Sequence, residues 1–156
     1  MVTLMNKSNK LIAGYTIVEL SIATAILATL SAIAIPVGTM HIDKSRIART
    51  ISEIRTLEKA IDSYEMENNT YPDSLSDIGR DGLNDPWGNP YEYMRITGAP
   101  GEKPRKDRFL VPVNTDYDLY SMGKDGDSKA PFTAKASRDD IVRANNGGYV
   151  GIAEEF

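Results

Sequence analysis

The feature that most restricts this chain is an uncharged apolar run, Leu20–Ile35, entered past a single carboxylate, Glu19, and closed by Pro36. Counted from Tyr15 the segment is about 21 residues, roughly 31 Å as a helix, which matches the hydrocarbon thickness of a bilayer. A lone acid in such a segment is costly in lipid unless it is paired, so Glu19 reads as functional and requires a partner. A secretory signal peptide has a shorter apolar region followed by a small-residue cleavage site. This run is too long for that, and a plain membrane anchor has no use for Glu19. The leader, Met1–Gly14, carries Lys7 and Lys10 and no acid. The positive-inside tendency therefore keeps that end cytoplasmic and exports the rest.

Within the run, small side chains such as Ala25, Ala28, Ala32 and Ser31 permit close helix–helix approach in lipid. Pro36, with Gly38 two residues on, predicts a kink rather than an end, because the helical pattern resumes. Ile47, Ile51, Ile54, Leu57, Ile61 and Tyr64 are spaced 4, 3, 3, 4 and 3 apart, the stripe of an amphipathic helix. Arg49, Glu53, Arg55, Lys59 and their neighbours form its solvated face. One helix is thus predicted from Tyr15 to about Glu67, stopped by Asn68-Asn69 and barred from continuing by Pro72. Its first half has only lipid or sister helices to bury it, and its second half needs a soluble domain. His41, the single histidine, falls beside the membrane boundary and is assigned no role.

The remaining residues must supply that domain. Asp85-Pro86-Trp87-Gly88-Asn89-Pro90-Tyr91 is dense in turn formers around the only tryptophan, a turn whose indole plugs the edge of a core. Three short strands are predicted at Tyr91–Ile96, Phe109–Val113 and Tyr117–Met122, rich in aromatic and β-branched residues. Pro112 confines the second to a sheet edge. The Gly98–Arg108 stretch between the first two reads as an exposed loop. Further on, Asp125, Asp127 and the pair Asp139-Asp140 gather oxygen donors near turn glycines, chemistry that suits Ca²⁺. An EF-hand is excluded: with Asp125 first, Ala130 replaces the required glycine and Ala136 the bidentate glutamate. Spacing alone leaves both a solvated acidic loop and a metal site open, and favours the loop.

Composition excludes several function classes. The formal charge is −4, with no basic patch to recruit nucleic acid. Cysteine is absent, so an exported domain must be stabilised without disulfides. No Gly-x-Ser-x-Gly, His-Glu-x-x-His or P-loop is present, and no nucleophile–base pair is on offer, so no enzymatic activity is expected.

Gly14, Tyr15 and Glu19 resemble the prepilin signature of type IV pilins and type II secretion pseudopilins: a basic leader, a glycine at the cleavage point, an aromatic first mature residue and glutamate at the fifth. Phe is commoner than Tyr at the first mature position. The Asp85–Tyr91 segment resembles the corresponding turn of the major pseudopilin of type II secretion. The resemblance implies cleavage after Gly14 by a prepilin peptidase, N-methylation of Tyr15, and pairing of Glu19 with an N-terminal amine during assembly. It also implies one calcium ion held by the Met122 carbonyl and the carboxylates of Asp125 and Asp140, with Asp127 a further contributor. Met122 in place of leucine, a longer loop from Gly126 to Asp139 and the lack of a tryptophan after Ile141 depart from the family pattern.

The expected fold is α+β: a long N-terminal helix, membrane-spanning in its first half, packed against a small antiparallel sheet with a calcium-binding C-terminal loop. The expected divisions are a leader (1–14), an assembly helix (15–36) and a periplasmic domain (37–156) whose helix runs over 37–68. The resemblance implies a subunit that polymerises into a periplasmic filament and helps drive protein export. Its partners would be copies of itself, the inner membrane, the peptidase, an assembly platform and minor pseudopilins, with no nucleic acid. Alternatives are the major subunit of a surface type IV pilus and, in another class, a membrane-anchored calcium-binding periplasmic receptor.

Overall fold

The computed structural model describes residues 14–108 and 110–156, without the side chains of residues 35–37. The predicted leader lysines and Phe109 lie outside the described residues. Helix α1 is assigned from Ile17 to Asn68, so Pro36 does not end it. The chain divides into two compact units, the first ending at His41 and the second spanning Ile42–Phe156.

In the first unit α1 is long and apolar enough to cross a membrane, and no part of its apolar stretch is buried. Ile17, Leu20, Leu27, Leu30 and Ile33 are each more than half exposed. Such a surface is tolerable only in lipid or against other helices.

The second unit is an α+β domain. Four strands, β1 (Tyr91–Arg95), β2 (Tyr117–Ser121), β3 (Ile141–Ala144) and β4 (Tyr149–Ile152), form an antiparallel meander in the order β1-β2-β3-β4. The predicted stripe of α1 covers one face: Ile54, Leu57 and Ile61 pack with Tyr91, Tyr117, Leu119 and Ile141. Because side chains alternate along a strand, the neighbours of these residues point the other way. Val142 and Ala144 accordingly join Val113, Phe132 and Ala153 in a second cluster. The sheet is therefore covered twice, by the helix on one face and by the long connections on the other. This double cover explains why every residue of β3 is buried.

Two of the three predicted strands form, and the third does not. Around Phe109–Val113 the described residues make a tight turn, in which Asp107 and Leu110 exchange backbone hydrogen bonds of 3.1 and 2.6 Å. Pro112 has no N–H to give a ladder, and the Val113 N–H donates to the Arg105 carbonyl at 2.9 Å. The sheet instead recruits β3 and β4 from the C-terminal tail. They are joined through Asn145-Asn146-Gly147-Gly148, whose first three residues have φ of 53°, 51° and 84°. Asn and Gly tolerate this left-handed backbone, which reverses the chain within a few residues.

Candidate functional sites

Glu19 sits at the start of α1, one turn after Thr16. Its Oε2 accepts hydrogen bonds from the Thr16 N–H and hydroxyl, each at 2.8 Å. The Glu19 N–H donates back to the Thr16 Oγ1 at 3.1 Å. This reciprocal exchange is a capping box, and it satisfies donors that a helix N-terminus otherwise leaves open. The Thr-x-x-Glu spacing was present in the sequence as its signal. Gly14, Tyr15 and Thr16 precede the helix, all exposed, with Tyr15 91% accessible.

The Asp85–Pro90 turn forms as the sequence predicts and also grips the following segment. Asp85 Oδ1 accepts the N–H groups of Trp87 and Asn89, both at 2.9 Å. Its Oδ2 accepts the Ser121 hydroxyl at 2.5 Å, and Asn89 Nδ2 donates to the Gly123 carbonyl at 2.7 Å. The Trp87 indole packs against the helix-side core.

The residues expected to hold calcium are not assembled into a cation site. Asp125 and Asp127 are exposed, and the Asp127 N–H closes onto Asp125 Oδ1 at 2.9 Å. Among the described residues no group of three or more His, Cys, Asp or Glu could hold a metal ion. Asp139, rather than Asp140, meets the Gly123–Asp125 turn: its Oδ2 accepts the N–H groups of Lys124 and Asp125 at 2.9 and 3.1 Å. Gly123, at φ +65°, packs so closely on the Asp139 backbone carbonyl that no side chain fits there.

Asp140 is turned inward and fully buried, and its Oδ2 accepts from Ser128 Oγ at 2.5 Å and Arg105 Nη2 at 2.7 Å. Burial pushes the Asp140 carboxyl above the usual carboxylate range, opposed by the Ser128 hydrogen bond and the Arg105 charge. Asp118 is likewise raised by burial, while its Oδ2 accepts the Arg105 N–H and its Oδ1 the Asn114 amide. Arg105 itself lies in the stretch expected to be an exposed loop, yet it is only 8% accessible. Nothing in the local sequence, Glu102-Lys103-Pro104-Arg105-Lys106, marks it as a core residue. The donor set around Asp140 thus already contains a cation, and it does not fit a calcium ion.

No family model and no solved structure matches the chain. Eight known proteins do, all called type II secretion system core protein G. The protein of that name from Pseudomonas aeruginosa is 27% identical, over 73% of this chain and 84% of its own length. Those from Aeromonas hydrophila and Pectobacterium carotovorum are 27% and 26% identical, over 74% and 85% of this chain. Over most of its length the chain is similar to type II secretion system core protein G.

Proposed function

We propose that this chain is the structural subunit of a type II secretion pseudopilus, polymerising through α1 into a periplasmic filament that helps drive protein export. The carrying observation is the shared name of its eight relatives, joined to an acid-capped apolar helix with no cover of its own. The exposed stretch Gly14–Thr16 is accessible to a prepilin peptidase cutting after Gly14. That cut frees an amine on Tyr15, four residues before Glu19 and just ahead of the first turn of α1. In a filament the Glu19 carboxylate of one subunit meets the amine of another, so two charges that are costly in lipid neutralise each other. Before assembly the Thr16 cap serves the same carboxylate. The subunit stands in the inner membrane with the Lys7 and Lys10 end cytoplasmic, and assembles on a platform with minor pseudopilins. Its work is mechanical, with no substrate chemistry.

The test is Glu19→Ala in cells that carry the secretion system. Membrane fractions retain the variant at wild-type levels, whereas filaments sheared from the cells or seen by immunogold microscopy are lost. Normal filaments from Glu19→Ala sink the assembly role. Intact mass of the purified protein checks the processing: it should begin at Tyr15 with one added methyl group.

A further inference from the structure

We propose that Arg105 is the resident cation of the C-terminal region, performing internally the task that the sequence resemblance assigns to calcium. Its guanidinium neutralises Asp140 and ties the connections over the far face of the sheet together. Nη2 donates to Asp140 Oδ2 at 2.7 Å and lies 3.4 Å from Ser137 Oγ, while Nη1 donates to Ser128 Oγ at 2.8 Å. The guanidinium carbon lies 4.3 Å from the Tyr120 ring centre and 5.1 Å from that of Phe132. The Arg105 backbone N–H reaches Asp118 on β2. One residue therefore joins β2, the 128–137 connection and the entrance to β3.

Charge decides against a second cation at the same place. The Arg105 and Asp140 side chains are 9% and 0% exposed, so water screens little there. A divalent ion brought to Asp140 would lie close to a guanidinium that cannot lose its proton. Asp125 and Asp127, the remaining expected carboxylates, are exposed and engaged with their own turn. Asp140 Oδ1 and Arg105 Nε are buried without partners. Oδ1 is the carboxylate oxygen of Asp140 that an added metal could still claim, and this makes calcium the decisive probe.

The experiment uses the full chain in detergent, its unfolding followed through the single tryptophan, Trp87. The wild-type Tm is the same with millimolar calcium chloride and with excess chelator. A rise of several degrees with calcium, or a fall with chelator, overturns the proposal. A thermodynamic cycle then tests Arg105 directly. Arg105→Met keeps the stem between the rings but strands Asp140, lowering Tm by roughly 10 °C. Adding Asp140→Asn recovers part of that loss, so the double variant melts above the sum of the two single effects. Strict additivity overturns the proposal. If Arg105→Met does not fold, calcium stabilisation of the wild type still overturns the assignment, and its absence together with a destabilised Asp140→Asn supports it. These readouts concern the folded subunit alone, so they stand or fall independently of whether it forms filaments.

Discussion

Arg143 Nε lies 2.8 Å from Glu58 Oε1, joining strand β3 to helix α1 across 85 residues of sequence. The same guanidinium forks onto both oxygens of Asp116, at 2.8 and 2.6 Å, and stacks 3.9 Å from the centre of the Tyr117 ring. Arg55 completes the group, donating to Glu58 Oε2 at 2.9 Å and to the Gly147 carbonyl in the β3–β4 turn at 2.7 Å. Apolar packing brings helix and sheet together, but it is indifferent to sliding. The directional bonds of Arg143 fix the register between them.

Arg143→Met should therefore destabilise the domain by about 3 kcal/mol, because it strips Asp116 of its counter-charge and leaves Glu58 with only the half-exposed Arg55. Arg143→Lys should not restore the loss, since an ammonium cannot bridge two acids in a planar fork. Urea unfolding followed by Trp87 fluorescence measures both.

Asp62, one turn beyond Glu58, gives a pH signature. Asp62 is exposed, yet partial desolvation raises its carboxyl above the usual carboxylate range, and Glu58, Asp116 and Glu65 raise it further while Arg143 opposes them. A carboxyl with a raised folded pKa favours the fold in acid and loses that contribution as pH climbs through the folded value. Asp62→Asn should raise Tm at neutral pH, and its advantage should vanish by about pH 3.5, below the unfolded pKa. Thermal melts of the two proteins at both pH values check the sign.

Gly123→Ala should cost about 3 kcal/mol. Alanine at φ +65° is strained, and its methyl group would strike the Asp139 backbone carbonyl. Denaturant midpoints measure the loss, while Gly79→Ala is a control with the same left-handed backbone and open space around it.

Thr16→Val should open the start of α1. Losing the hydroxyl removes one acceptor and one donor of the cap, worth about 1 kcal/mol. Amide hydrogen exchange at the first turn should then quicken about fivefold in detergent, with the sheet amides unchanged.

The sequence by itself determined the long helix, the membrane-length apolar run and the helix-side core, because these depend on period and on local backbone preference. Ile54, Leu57 and Ile61 had to share a face whatever they packed against, and Asp85–Pro90 carried its turn in its own residues. Thr16 and Glu19 were three apart and could find each other within one helical turn. Tertiary structure alone decided the rest. Phe109–Val113 looked extended but lay where Pro112 left no ladder to join, and β3 and β4 were short runs that became strands only when covered on both faces. Arg105 looked like any loop cation, and its burial depended on Asp118, Ser128 and Asp140, which lie 13, 23 and 35 residues away. Long-range charge pairing leaves no periodic trace in a sequence, because it is set by which loops the fold lays over one another.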